Sequence, residues 1–93
     1  MVKSMKAIVT VIGHDQVGIV AQVSAKLADL QVNITDMSQT LLDGEFTLML
    51  MGEWDDNDTS FESVQTALTD LGRQLKLDIR IQRRELFDAI QKL

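Results

Sequence analysis

The order in which two hydrophobic periodicities follow one another is what most constrains the fold of this chain. Some segments carry alternating or continuous apolar residues, as strands do, and others repeat them at three- and four-residue steps, as helices do. The resulting order is strand, helix, strand, strand, helix, strand. The predicted strands cover residues 5–12, 32–42, 45–54 and 77–82, and the predicted helices cover residues 17–30 and 59–75.

This order contains two strand–helix–strand units, and each unit is expected to make a right-handed crossover. The crossovers place the four strands in one antiparallel sheet with both helices on the same face. The predicted fold class is therefore α+β, a ferredoxin-like βαββαβ plait. A short terminal helix is predicted after the plait, with Leu86, Phe87, Ile90 and Leu93 on one side.

The turn between the first strand and the first helix begins at Gly13 and ends at Gly18. Glycine permits positive φ and lets a ligand or a neighbouring chain approach the backbone, so this turn is the predicted binding region. Asp15 is the predicted N-cap of the helix, because its carboxylate could accept from the free N–H groups of the first turn. The apolar stripe of this helix is predicted to comprise Val17, Val20, Val23, Leu27 and Leu30.

The second predicted strand is polar, as an edge strand often is, and its apolar residues change parity partway along. A β-bulge near Thr35–Asp36 would explain that change. The dipeptide Asp43-Gly44 then predicts a type I′ hairpin turn. The third strand is apolar on both faces, and Trp54 at its end could anchor a partner or cover the sheet edge.

The start of the second helix has the spacing of a capping box, formed by Thr59 and Glu62. Its predicted apolar stripe is regular and comprises Phe61, Val64, Leu68, Leu71 and Leu75. The terminal helix is predicted to span residues 83–93, so the domain itself is predicted to occupy residues 5–82.

Composition narrows the classes of function. The 93 residues suit one domain, and none of them is cysteine, so disulfides and thiolate metal sites are not available. The net charge of −5 disfavours direct binding to nucleic acid, because phosphate groups would be repelled. No apolar run approaches the roughly 20 residues of a membrane span. No signal peptide is recognisable, and a cytoplasmic protein is expected.

Catalytic chemistry is not predicted. The single histidine, His14, is expected to be a solvated loop residue, since one imidazole beside one carboxylate is too few ligands for a metal. The Gly13–Gly18 turn differs from the dinucleotide fingerprint Gly-x-Gly-x-x-Gly, because Asp15 occupies the position of the middle glycine and would repel a pyrophosphate. No nucleophilic triad or paired carboxylates stand out. Neither an enzymatic activity, a cofactor nor a metal is expected.

Three segments together resemble the ACT domain, a family of small modules that bind amino acids and regulate metabolic enzymes and transcription. The resemblance covers about residues 5–82, and the element order matches. It looks closest to stand-alone ACT proteins similar to the glycine cleavage system transcriptional repressor. The matching segments are Val11-x-Gly13-x-Asp15-x-x-Gly18-Ile19-Val20, Leu27-Ala28 and Val32-Asn33-Ile34-x-Asp36.

The resemblance implies where a ligand would bind. In the family, the first strand–helix turn and the start of the second strand meet a second subunit, and a small amino acid lies at that joint. Asp15 and Asn33 would then orient the ligand, and Gly18 would leave room for it. Pairing along the polar second strand would also cover its exposed edge. The remaining residues expected to line the site are Gln16, Val17, Ile19 and Ile34.

Two functions follow as hypotheses. The first is a non-catalytic regulatory module that binds an amino acid or similar metabolite as a homodimer and acts through a partner. The second is a protein-interaction subunit with a vestigial ligand site. Many ACT turns read Asp-Arg-Pro-Gly where this chain reads Asp15-Gln16-Val17-Gly18, and the missing Arg-Pro favours the second hypothesis.

Overall fold

The computed structural model describes residues 4–14 and 17–84 of the chain. Their element order is the predicted strand–helix–strand–strand–helix–strand. The first strand extends two residues beyond its predicted end at Ile12, and the first helix begins two residues later than predicted. The elements are β1 (Ser4–His14), α1 (Ile19–Asp29), β2 (Asn33–Leu42), β3 (Glu45–Asp55), α2 (Phe61–Leu75) and β4 (Asp78–Arg83).

The four strands form one sheet in the order β2-β3-β1-β4. Every neighbouring pair is antiparallel, and β1 and β3 lie at the centre. Because β1 and β2 both run antiparallel to β3, they run parallel to each other. The predicted ferredoxin-like α+β plait is confirmed, and β2 is the edge strand that its polar sequence indicates.

The core lies between the helices and one face of the sheet, which is called the inner face below. The two central strands supply alternate residues to it, so each strand is buried with period two on this side. The helices supply stripes at helical spacing. The largest of the fully buried core side chains are Val9, Val11, Val23, Leu27, Leu48, Leu50, Val64 and Leu68.

Two local predictions for β2 are confirmed. The pairing of β2 with β3 shifts register between Ile34 and Asp36, which is the predicted bulge. Its extra residue restores the inward direction of Met37, which packs against the core. The hairpin turn has positive φ at both central residues, 52° at Asp43 and 80° at Gly44, as a type I′ turn requires.

Trp54 is a core residue. Its side chain is only 4% exposed. The indole Nε1 donates to the carbonyl oxygen of Thr59 at 2.8 Å, and the ring stacks on Phe61 with centroids 6.4 Å apart. Trp54 therefore neither anchors a partner nor covers the sheet edge, the two roles considered for it from the sequence. Its indole instead connects β3 to the start of α2.

The predicted capping box is wrong by one residue. The N-cap of α2 is Ser60, whose hydroxyl oxygen accepts from the backbone N–H of Ser63 at 3.1 Å. The Thr59 hydroxyl instead donates to the carbonyl oxygen of Leu30 at 3.0 Å and ties this loop to the end of α1. Thr59 and Ser60 are both good helix caps. Because the Thr59 hydroxyl bonds to Leu30, Ser60 is the residue that caps α2.

The predicted terminal helix cannot begin at residue 83, because Arg83 is the last residue of β4. Its guanidinium lies over the Phe61 ring, 4.6 Å from the centroid. The rest of that prediction, residues 85–93, lies outside the described residues. Within residues 4–14 and 17–84, neither helix has the length and apolar character needed to cross a membrane.

Gly72 sets how closely α2 approaches the start of β4. A Cβ at this position would lie 2.8 Å from the carbonyl oxygen of Leu77. The Gly72 carbonyl oxygen also accepts from the Leu77 N–H at 2.8 Å, so this backbone segment is held in place. The contact involves backbone atoms, which cannot move aside as a flexible side chain would.

Gly72→Ala should therefore destabilise the fold, although alanine favours helices. Overpacking of this kind typically costs about 1–3 kcal/mol. Chemical denaturation would measure the loss. Gln65→Ala, at an exposed position of the same helix, should change the free energy of unfolding by less than about 0.5 kcal/mol. Equal stability of Gly72→Ala and the wild type would contradict the close approach.

Candidate functional site

Gly18 shapes the β1–α1 turn. It is the N-cap of α1 with φ 87° and ψ 6°, a left-handed conformation. Its carbonyl oxygen accepts the N–H of Gln22 at 2.9 Å, the expected distance for a first helical hydrogen bond. A Cβ here would meet nothing closer than 3.6 Å, so glycine is needed for its φ and not for space.

The predicted N-cap is therefore wrong, since the helix begins at Ile19 and Gly18, not Asp15, occupies the cap position. Gly18 has no side chain with which to cap, and the first turn of α1 holds no acidic residue. The first N–H groups of a helix carry partial positive charge and lack partners within the helix. This end of α1 is thus suited to a carboxylate or another small anion.

The predicted lining residues of the turn separate into two environments. Val17 is fully exposed and precedes the helix, so it does not belong to the apolar stripe in which it was predicted. Ile19 is 2% exposed and belongs to the core. Asp15 and Gln16 lie outside the described residues. The buried stripe of α1 consists of Ile19, Val23 and Leu27.

The other predicted site residues are the first two of β2. Asn33 is exposed and stands opposite Glu53, whereas Ile34 is half-buried, stands opposite Gly52 and packs against the core. Successive residues of a strand point to opposite faces, so only one of the two side chains faces the helices. Ile34 is the one that does.

The turn and the start of β2 lie at opposite ends of the sheet. Gly13 is paired with Phe46, which is paired in turn with Leu41 near the hairpin. Asn33 is paired with Glu53, which is paired with Lys6 near the start of β1. The seven steps along the strand from Lys6 to Gly13 span roughly 23 Å at 3.3 Å per residue. One chain does not bring these two groups together.

Exposed apolar side chains collect at the end of the sheet that carries the turn. Leu41 is 58% and Leu42 75% exposed, and both stand at the end of the edge strand. Ile12, near the end of β1, is 37% exposed. These three side chains therefore lie at the same end of the sheet as the β1–α1 turn, in which Val17 is fully exposed. Sequence reasoning did not single out Leu41 and Leu42, although two adjacent leucines in a polar strand were a visible signal.

His14 is exposed, but it is the last residue of β1 and not a loop residue as predicted. It stands opposite Glu45 across the β1–β3 ladder. Among the described residues, no three histidine, cysteine, aspartate or glutamate side chains come together as metal ligands would.

Comparison with known proteins places this arrangement in a family. The ACT domain family profile matches residues 6–82, and the chain belongs to that family. A UPF0237 protein of Listeria innocua is 52% identical over 89 residues, which cover 96% of this chain and all of the relative. A UPF0237 protein of Lactococcus lactis is 44% identical over the same length.

Solved structures agree with the fold. An ACT domain protein from Streptococcus pneumoniae is 42% identical and superposes with a TM-score of 0.80 over 91% of this chain and 96% of that one. A protein described as a glycine cleavage system transcriptional repressor is 26% identical and has a TM-score of 0.78. That match covers 86% of this chain but 46% of the other. This protein is therefore an ACT domain regulatory module.

Proposed function

We propose that this ACT domain acts as a cytoplasmic homodimer that binds an amino acid or similar small metabolite between its subunits. The ligand would lie between the β1–α1 turn of one subunit and the start of β2 in the other. Binding would regulate a metabolic enzyme or a transcription factor through a protein partner. The module would catalyse no reaction itself.

The observation that carries this proposal is the parallel direction of β1 and β2, which leaves Asn33 far from the β1–α1 turn of its own chain. A second copy can close that gap. If the two β2 edges pair antiparallel about a two-fold axis near mid-strand, the Asn33 end of one subunit meets the Leu42 end of the other. The β1–α1 turn lies at that same Leu42 end of the sheet.

The β2 edge suits such pairing. It is the outer strand of the sheet, with one row of backbone N–H and C=O groups available to another chain. Leu41 and Leu42 are exposed at its end, where the second subunit would cover them. A chain of this size buries only about 60–65% of its unfolded surface, so pairing would enlarge a modest core.

The polar groups near the joint suit the two charged ends of an amino acid. The N–H groups at the start of α1 would bind its carboxylate. Asn33 would offer an amide donor and acceptor from the other subunit, and Asp15 would attract the ammonium group. Gly18 would let the ligand approach the backbone, while Gln16, Val17, Ile19 and Ile34 would surround it. These roles follow the family resemblance.

Leu41→Lys should shift the protein from dimer to monomer, because the charge would lose its hydration where the Leu42 end of β2 meets the Asn33 end of the other subunit. Size-exclusion chromatography with light scattering would measure the mass. Gln65→Lys on exposed α2 adds the same charge and should leave the dimer intact. A monomeric wild type, or a dimeric Leu41→Lys protein, would count against pairing along β2.

The ligand can be sought by thermal melting of the protein with each of the common amino acids. Ligand at about 100 times its Kd adds roughly 2.7 kcal/mol, which should raise the Tm of a domain this size by on the order of 10 °C. Asn33→Ala should abolish the rise without unfolding the protein. Gly18→Ala should also abolish it, with some loss of stability because alanine is strained at φ 87°.

Val64→Ala serves as the control for lost stability. Val64 is fully buried in the first turn of α2, at the end of the domain opposite the β1–α1 turn. This variant should melt at a lower temperature than the wild type yet keep the full ligand-induced rise. If Val64→Ala lost the rise together with Gly18→Ala, the effect would reflect general destabilisation and not a binding site.

The exposed Leu41 and Leu42 favour a second candidate, a protein-interaction subunit whose ligand site is vestigial. In that case the leucines would dock another protein. A melting panel without any rise, on a protein whose Leu41→Lys variant keeps the wild-type mass and whose leucines are therefore uncovered, would favour this candidate over amino-acid sensing.

A further inference from the structure

The sheet face opposite the helices, called the outer face here, is apolar at its centre. On the two central strands, Ile8 stands beside Met51 and Thr10 stands beside Met49. Met49 is 42% exposed, which is unusual for a large apolar side chain in the middle of a sheet. Neither α1 nor α2 covers this face.

The outer face also contains a groove of about 160 Å³ between β2 and β3. Asp36 and Ser38 lie at its β2 side, and its apolar lining comprises Ile8, Met37, Met49, Leu50 and Met51. Methionine side chains adapt to the shape of an apolar partner. The groove is therefore suited to bulky apolar side chains from a covering segment.

The described chain ends beside this face. β4 pairs with β1, and the backbone changes from extended at Arg83 to helical at Arg84. Nη1 of Arg84 donates to Sδ of Met51 at 2.8 Å. Met51 belongs to β3, so the Arg84 side chain reaches across β1 on the outer face. The side chain of the last described residue thus lies on the outer face, at the point where the last nine residues begin.

Those nine residues have the pattern of an amphipathic helix. Leu86, Phe87, Ile90 and Leu93 share one side at helical spacing, and Glu85, Asp88, Gln91 and Lys92 share the other. Nine helical residues are about 13.5 Å long. The distance from β4 to β2 is three strand spacings, or about 14 Å. Such a helix would reach from the end of β4 to the groove.

We propose that residues 85–93 dock on the outer face of their own chain, with Phe87 and Ile90 packed on Met49 and Met51. The direct connection through Arg84 favours the chain's own segment over a second copy, because it keeps the effective concentration of that segment high. Docking would close the apolar outer face to other chains and leave the β2 edge available for pairing.

A cysteine pair can test this contact, since the chain contains no cysteine of its own. Ile90 would lie about 9 Å along the helix from Arg84, and β3 lies two strand spacings, about 9.6 Å, from β4. The variant with Met49→Cys and Ile90→Cys should therefore form a disulfide within one chain on mild oxidation. Non-reducing electrophoresis and mass spectrometry would detect it.

The matched control pairs Met49→Cys with Asp88→Cys, which lies on the opposite side of the predicted helix. Because a disulfide needs Cβ atoms within about 4.5 Å, the Ile90 pair should crosslink about tenfold more than this control. A disulfide that joins two chains would mean that a second copy covers the face, and would overturn the proposal. Equal yields from both pairs would also overturn it.

A second measurement needs no crosslink and leaves the fold intact. In the full chain with ¹³C-labelled methionine methyl groups, Phe87→Leu removes the ring that would lie over the outer face. The Met49 and Met51 methyl resonances should shift, whereas that of Met5, which packs against the core and does not line the groove, should not. Unchanged Met49 and Met51 resonances would contradict docking.

Discussion

The pairing of β1 with β3 is the interaction on which the rest of the structure depends. The two strands match along their whole lengths, from Ser4 opposite Asp55 to His14 opposite Glu45. Their inner faces supply much of the core, and both outer strands are paired to them. Helices α1 and α2 acquire their positions by packing on these two strands, because neither amphipathic helix can bury its apolar stripe alone.

This central pair also decides where chemistry can occur. Because β2 also pairs antiparallel with β3, β1 and β2 run in the same direction, so the β1–α1 turn and the Asn33 end of β2 lie at opposite ends of one subunit. A site built from both groups therefore requires a second chain. The edge of β2 and the outer face are the two surfaces of the described sheet that α1 and α2 leave uncovered. The two proposals assign them to a second copy and to the chain's own last nine residues.

Much of the fold could be predicted from local patterns. Period-two and helical spacings identified each element, the parity change in β2 identified its bulge, and Asp43-Gly44 identified its turn. Boundaries were less predictable where neighbouring residues were equally suited to one role. Thr59 and Ser60 can both cap a helix, and the contact of Thr59 with Leu30 decided in favour of Ser60.

The features of the candidate site likewise fall into those that the sequence predicts and those that only packing decides. The sequence by itself determined the fold class, the Gly13–Gly18 turn and the family motif, because these depend on residue type and spacing within short segments. Only the tertiary structure decided that Ile19 is a core residue, that Trp54 packs against Phe61, and that Leu41 is exposed. Those outcomes depend on which surfaces remain uncovered after the sheet and helices have packed, and spacing along the chain does not contain that information.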